Sequence, residues 1–264
     1  MSTTTRIRPD GLAWTGADDG VPSLARLTRV ELRKSADTRA GFWLLSVIAV
    51  ATLAVVVLQM VFADAADRTF AGYFTTSQLP VGVLLPVLGI LLVTSEWSQR
   101  TVGTTFALVP VRSRVLAAKV LAATVLGGLG VVAAATASAV ATALTPVFTD
   151  DGARWQLTGA HLGQVLVVQV LTVLVGIAFG MLLLSSPVAI VLYFVLPTVV
   201  TLLVNSVDQL AWVRDWLDLT TTSMPMYEGT LEGQGWLQVG TSVAVWGLLP
   251  MVLGWMRVLR TEVG

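Results

Sequence analysis

The chain has 264 residues, of which 55% are hydrophobic and only 12% are charged, and its formal net charge is zero. Soluble domains carry about 25% charged residues, so this composition, together with a mean hydropathy of +0.80, indicates a multi-pass membrane protein. The balanced net charge gives no support for nucleic-acid binding, and the lack of cysteine excludes disulfide bonds and thiol chemistry.

The polar N-terminal part divides into two predicted elements. Residues 1–22 lack helical periodicity and are predicted to form a flexible cytoplasmic tail. Residues 23–40 are predicted to form an amphipathic helix at the membrane surface, because the arginines share one narrow stripe opposite most of the leucines. A basic stripe suits the anionic headgroups of membrane lipids; the alternative is an ordinary solvated helix. The residues assigned to this interfacial helix are Arg26, Arg29, Glu31, Arg33 and Lys34.

Six apolar segments follow, and each provides roughly the 20 residues that a helix needs to cross a bilayer. They are predicted at 42–62, 75–94, 115–144, 162–186, 187–207 and 236–256, within a membrane domain that covers 41–264. Their apolar cores, which begin at Val120 in the third segment, contain no Asp, Glu, Lys or Arg. We therefore predict an all-α membrane protein with six transmembrane helices.

Six crossings place both termini on the same side, and the basic residues select that side. Thirteen Lys and Arg residues belong to the two termini and the stretch after the second span, and three belong to the opposite loops. The positive-inside rule therefore predicts cytoplasmic termini. The Ala-, Val-, Leu-, Arg- and Gly-rich usage is typical of high-GC bacteria such as actinobacteria, so the expected location is the bacterial inner membrane.

The stretch Thr94–Lys119 combines charge, glycine, proline and a helix restart between two apolar runs. A polar turn is predicted at its start, with Glu96 and Arg100 spaced for a pair on one helix face. A short segment with an apolar end follows, in which Phe106, Leu108 and Val109 are candidates for insertion into a groove of a soluble partner. The alternative is a solvated loop whose arginines only enforce the topology.

Two patterns concern packing and the outer surface. The third span carries small residues at four-residue spacing, and the fourth contains the pair Gly176 and Gly180. Small residues let helix backbones approach closely, either within one chain or across a dimer, and the within-chain reading is preferred.

The outer segment Asp208–Gly235 is predicted to form a short amphipathic or re-entrant helix that serves as a lid or as an interfacial anchor.

The sequence contains no pattern that predicts catalysis by this chain. It has no GxxxxGK[ST] phosphate loop, so we expect no ATP to be bound in the P-loop manner. One histidine and no cysteine make a metal site improbable, and His161 is expected at the outer interface. The chain is therefore expected not to be an enzyme on its own, and to bind no cofactor or metal.

Two segments, GVLLPVLGILLVTSEWSQRTVGTTFALVPVRSRVLAAK and RVELRKSADTRAGFWLL, resemble the permease subunits of ABC-2 type transporters. That family has a glutamate that ends span two, then a Gly-Thr pair, a proline followed by Arg-Ser-Arg, and a lysine that opens span three. The matching positions are Glu96, Gly103, Thr104, Pro110, Arg112, Ser113, Arg114 and Lys119, with Glu31 and Lys34 before span one.

The resemblance implies two permease copies, in a homodimer or heterodimer, and two separate P-loop subunits that bind ATP and Mg²⁺. It implies a cytoplasmic coupling helix between spans two and three and, most often, export of an amphipathic small molecule, lipid-like compound or peptide. The residues assigned to coupling are Glu96, Arg100, Thr101, Gly103, Thr104, Phe106, Leu108, Pro110, Arg112 and Arg114. An ATP-independent carrier or channel and a non-transporting scaffold or immunity protein remain the alternatives.

Overall fold

The computed structural model describes residues 22–109 and 111–261, which form helices and connecting turns without any strand. The α-helices in chain order are α1 (Leu24–Asp37), α2 (Arg39–Phe62), α3 (Phe70–Ser98), α4 (Val102–Leu108), α5 (Arg112–Phe148), α6 (Gly159–Leu183), α7 (Ser186–Ser206), α8 (Ala211–Leu217), α9 (Leu219–Glu228), α10 (Gly235–Val243) and α11 (Leu249–Arg260). The predicted tail, up to residue 21, and Pro110 lie outside the described residues.

Six helices of the described chain are long and apolar enough to cross a membrane, which confirms the predicted all-α class and the number of spans. They are α2, α3, α5, α6, α7 and the continuous segment Gly235–Arg260. In that last segment a π-helical turn, Ala244–Leu248, joins α10 to α11. The turn ends two residues before Pro250, whose ring nitrogen cannot donate to a carbonyl in the turn, and this accounts for the local change of hydrogen bonding.

The helices around the predicted loop are longer than the sequence suggested. Helix α3 begins at Phe70, where the Thr69 side chain accepts from the backbone N–H of Gly72, and it continues to Ser98. Helix α5 begins at Arg112. The predicted polar turn at Thr94 is therefore wrong, because helical hydrogen bonding extends past the apolar core into the polar residues. The connection between the two spans is limited to residues 99–111.

Helices α3, α5 and α6 form the centre of the fold. In the most apolar window of each, 56%, 50% and 61% of the residues are buried, against 22% in α2, 17% in α7 and 28% in the last span. The first three therefore make the core, and the other three present most of their apolar surface outward. Apolar outward faces are what helices in contact with lipid require.

The central contact depends on glycines at which two backbones touch. A Cβ added to Gly176 of α6 would lie 2.5 Å from the carbonyl oxygen of Pro86 in α3, and one added to Gly180 would lie 3.1 Å from that of Ile90. No larger residue fits at Gly176 without separating the helices. The glycine pair thus packs within the chain, which confirms the preferred reading of the sequence pattern.

At the end of the bundle opposite α4, the segment predicted as one short helix forms two, α8 and α9. The Gln164 side chain of α6 donates to the carbonyl of Leu231 at 2.8 Å and accepts from its N–H at 3.1 Å. His161 is buried, and its Nε2 lies 2.9 Å from the carbonyl oxygen of Tyr227. His161 belongs to the first turn of α6, and the end of α9 covers its side chain; its expected place at the outer membrane interface stays a prediction.

Candidate functional site

Helix α1 lies against the ends of α3 and α5 and leads directly into the first span. Its N-terminus is capped by Ser23, whose hydroxyl accepts from the N–H of Arg26, and only Thr38 separates α1 from α2. The three arginines of the predicted stripe are exposed. Glu31 and Ser35, on another face, are buried. One face of α1 is therefore committed to the bundle.

Four charged side chains from three helices meet beneath α1 and form an ion cluster: Glu31, Lys34, Glu96 and Lys119. The Lys119 ammonium of α5 donates to Glu31 Oε2 at 2.7 Å and lies 3.2 Å from Glu96 Oε1 of α3. The Lys34 ammonium donates to Glu31 Oε1 and to Glu96 Oε1, both at 2.8 Å. Each carboxylate thus contacts both lysines, and the cluster is electrically neutral.

The ion cluster is largely shielded from solvent. Glu31, Glu96 and Lys119 retain 4%, 8% and 3% of their surface exposure, whereas the Lys34 side chain is 41% exposed. Lys119 also donates to the carbonyl of Leu92 at 2.7 Å, so each of its three N–H groups has an acceptor nearby. Removal of one member would leave an uncompensated buried charge, which is strongly destabilising.

The environment of Lys34 favours its charged form. Burial lowers the pKa of Lys34, but hydrogen bonds and attraction from the carboxylates of Glu31 and then Glu96 outweigh this effect, and the pKa is raised above its ordinary value of 10.5. Lys34 is therefore a permanent cation at neutral pH, and the ion pairs that attach α1 to α3 persist there.

Helix α4 is a short helix anchored at both ends by buried side chains. After α3 the backbone reverses through Arg100, which adopts a left-handed conformation with φ of 56°. The buried residues Val102 and Val109 then fix the two ends of α4 to the bundle. Phe106 is half-buried against the core, and the guanidinium of Arg112 lies 4.9 Å from its ring centre. The helix is thus held firmly despite its length of seven residues.

One face of α4 is exposed and borders the space between α4 and α1. Thr104 is exposed, Leu108 retains 75% of its surface, and Val111 in the following turn retains 43%. Of the three side chains predicted to insert into a partner, Leu108 alone is exposed. The prediction is wrong for the other two, because Val109 is buried and Phe106 packs against the core. A small apolar face flanked by threonine is available for contact with another protein.

Arg112 links the start of α5 to the end of the last span. Its Nη1 donates to the carbonyl oxygens of Thr261 at 2.7 Å, Leu259 at 3.3 Å and Val258 at 3.4 Å. The last carbonyls of a helix have no partner in their own helix, so a cation here satisfies them and complements the helix dipole. The element that follows α4 is thereby attached to the C-terminal end of α11.

The structure places the predicted site residues in two groups. Gly103, Thr104, Phe106 and Leu108 belong to α4, Thr101 precedes it, and Arg112 and Arg114 begin α5. Glu96 turns inward instead and joins Glu31 and Lys34, which had been assigned to the membrane surface.

Two expectations for this region are corrected. The Glu96–Arg100 pair is wrong: among the described side chains the ion-pair partners of Glu96 are Lys34 and Lys119, and the left-handed backbone at Arg100 takes that residue off the helix face. Lys119 was not assigned to the site, although it lies at its centre. The sequence did contain a signal for this site: a lysine and two glutamates next to apolar runs. Charged residues in such positions are expected to be buried, and opposite charges that are buried are expected to pair.

These observations define the class of the molecule: an all-α, multi-pass membrane protein with an ion cluster and a short exposed helix at one end of its bundle. Within the described ranges no three His, Asp or Glu side chains are grouped as metal ligands. No protein-family model and no curated protein matches the chain.

Proposed function

We propose that the chain is the membrane-spanning subunit of an ATP-driven transporter of the ABC-2 permease type. The observation that carries the proposal is the ion cluster, which attaches α1 to α3 and α5 at the end of the bundle where α4 is exposed. In this assignment α4 is the coupling helix and α1 is the interfacial helix. The end that bears them faces the cytoplasm of a bacterial cell, as the distribution of basic residues predicts.

The geometry supports transmission of a push from α4 into the membrane. Three residues, Gln99–Thr101, connect α3 to α4, and the N–H of Thr101 donates to the carbonyl of Glu96 at 2.9 Å. The buried side chains of Val102 and Val109 leave α4 little freedom to move alone. A force on the exposed face at Leu108 would therefore displace α3 and α5, and the ion cluster would carry α1 with them.

The energy source in this proposal lies in separate subunits. The chain has no phosphate-binding loop of the GxxxxGK[ST] form, so ATP and Mg²⁺ would be bound by two P-loop subunits beneath two copies of the permease. The apolar spans, with scattered threonine and glutamine, suit an amphipathic small molecule, lipid-like compound or peptide as the exported substrate. Leu108 is the side chain we propose to enter a groove of the ATPase subunit.

Co-purification tests the proposal directly. The tagged chain is extracted from its native host in a mild detergent, the accompanying chains are identified, and ATP hydrolysis is measured with and without vanadate. We expect a stoichiometric P-loop subunit and vanadate-sensitive hydrolysis. A chain that purifies alone without ATPase activity would refute the transporter assignment and support a carrier or a scaffold.

A matched pair of variants locates the contact. Leu108→Asp places a charge on the exposed face of α4 and should abolish recovery of the ATPase subunit. Phe148→Asp makes the same change in charge at a residue that is 67% exposed, at the opposite end of α5, and should leave recovery unchanged. Equal recovery with both variants would contradict the role of α4.

A further inference from the structure

A cavity of about 1000 Å³ lies between α1 and the adjacent ends of α3, α4 and α5. This volume is at the upper end of the range of ligand sites in proteins, roughly 300–1,000 Å³. Residues of α1, α3, α4 and α5 and the first turn of α2 line it, and the ion cluster contributes to this lining. The cavity is therefore a partly open cleft between several helices and not a groove on one helix.

The deep wall of the cavity is apolar and belongs to a membrane span. Leu88, Leu91 and Leu92 of α3 line it, and Leu27 and Val30 of α1 add to its apolar lining. Leu88 precedes the end of α3 at Ser98 by about 15 Å along the helix axis, at 1.5 Å per residue. The cavity thus reaches from the polar end of the bundle to the depth of lipid chains.

The charged lining of the cavity has an excess of positive charge. Glu31 and Glu96 are neutralised by the lysines of the ion cluster. Arg26 and Arg39 also line the space, and both are exposed. They belong to the first turn of α1 and the first turn of α2, so positive charge is present at both ends of α1.

We propose that this cavity binds an anionic phospholipid of the surrounding membrane. The phosphate lies at the mouth with one of the two arginines, and an acyl chain extends along the leucines of α3. The second arginine raises the local positive potential and favours an anionic headgroup over a zwitterionic one. A segment of a soluble partner would have to become ordered in order to place apolar side chains at the depth of the hydrocarbon. A lipid reaches the same depth with its acyl chain and does not have this cost of ordering a peptide.

The helix itself offers a matched control. Arg29 and Arg33 are exposed on the same helix, but neither lines the cavity. The double variants Arg26→Gln/Arg39→Gln and Arg29→Gln/Arg33→Gln remove the same charge, so a general attraction of α1 to anionic surfaces would be weakened equally by both. A site in the cavity would be weakened by the first alone.

The first measurement is phosphatidylglycerol binding to the purified full chain in detergent, with phosphatidylcholine as the reference lipid and native mass spectrometry as the readout. We expect the wild-type chain to retain phosphatidylglycerol preferentially. Arg26→Gln/Arg39→Gln should weaken retention roughly 25-fold, since each of the two basic residues near an anionic group contributes about a factor of five. Arg29→Gln/Arg33→Gln should bind like the wild type.

The second measurement locates the lipid chain. The sequence contains no cysteine, so Leu91→Cys introduces a single thiol in the wall of the cavity, and Val111→Cys introduces one at an exposed position at the same end of the bundle that does not line the cavity. We expect phosphatidylglycerol to slow maleimide labelling at position 91 and not at 111, and phosphatidylcholine to protect neither position selectively.

Three results would overturn the proposal. They are equal weakening in the two double variants, no preference for phosphatidylglycerol, and labelling at position 91 that phosphatidylglycerol does not slow. Neither measurement needs an ATPase. The lipid site can therefore fail while the transporter proposal stands, and co-purification can fail while lipid binding persists.

Discussion

Replacement of Lys119 by methionine tests whether the ion cluster holds the α4 end of the bundle together. Methionine keeps the length of the apolar stem and removes the ammonium that contacts Glu31 at 2.7 Å and Glu96 at 3.2 Å. The two carboxylates would then share Lys34 alone, and the cluster would hold one net negative charge at a site where both glutamates are buried. Loss of one member of a buried ion pair costs about 3–5 kcal/mol.

A second substitution should recover most of that loss. In the double variant Glu31→Gln/Lys119→Met the cluster contains Lys34 and Glu96, which remain paired at 2.8 Å, and it is neutral again. The lost hydrogen bond to the carbonyl of Leu92 leaves a residual cost of about 0.5–1.5 kcal/mol. We therefore expect the double variant to lose at least about 2 kcal/mol less stability than the two single variants lose together. A coupling of this size is found for residues in one network.

The assay is unfolding of the purified chain in mixed micelles with increasing SDS, followed through the fluorescence of its nine tryptophans. The control is Arg33→Gln, which breaks an exposed pair with Asp37 whose side chains are 82% and 67% exposed and should change stability by less than about 0.5 kcal/mol. If Lys119→Met unfolds like this control, or if the two changes in the double variant are additive, the cluster does not stabilise the bundle in the way argued.

Three further predictions concern the same end of the bundle and its centre. Leu108→Asp should leave the thermal unfolding midpoint of the isolated chain unchanged because the residue is exposed, whereas Phe106→Asp should lower it, since that ring packs against the core; equal midpoints would contradict the inward position of Phe106. Gly176→Val should cost about 1–3 kcal/mol or more by pushing α6 away from Pro86, and unchanged SDS resistance would contradict the close contact. The pKa of Lys34 is raised above 10.5 in the folded state, so the contribution of its charge to stability is complete below pH 10.5 and is lost as the pH rises through the folded-state pKa. The difference in stability between the wild type and Lys34→Met should therefore be constant between about pH 6 and 9 and shrink above about pH 10.5. A difference that shrinks on acidification to about pH 6 would contradict the assignment.

The locations of the spans could be predicted from the sequence because each apolar run carries its own signal. About 20 apolar residues suffice to cross a bilayer, and a helix satisfies its backbone hydrogen bonds without help from distant residues. Hydropathy predicts the ends of the helices less well than it predicts the spans. Helix α3 continues to Ser98 and α5 begins at Arg112, because polar residues remain helical beyond the apolar core, where hydropathy alone no longer reports them.

The short helix after α3 was predicted as a segment, but its orientation was not. Both Phe106 and Leu108 are apolar and nearly adjacent, so the sequence offers no reason to bury one and expose the other. The difference arises because Phe106 contacts the core and Arg112, while Leu108 is exposed where α4 borders the cavity. Only the packing of α4 on the bundle separates the two roles.

The sequence by itself determined the all-α class, the six apolar spans and the concentration of charge between the second and third of them. These properties follow from short-range chemistry: transfer of apolar residues into lipid and hydrogen bonding within each helix. The tertiary structure decided the charge partners. Glu31 and Lys119 are separated by 88 residues, and Lys34 and Glu96 by 62. Spacing along one helix suggested Arg100 as the partner of Glu96. The structure instead pairs Glu96 within the neutral ion cluster, whose members come from three helices. A buried charge must be paired, and only the tertiary structure determines which opposite charge is close to it.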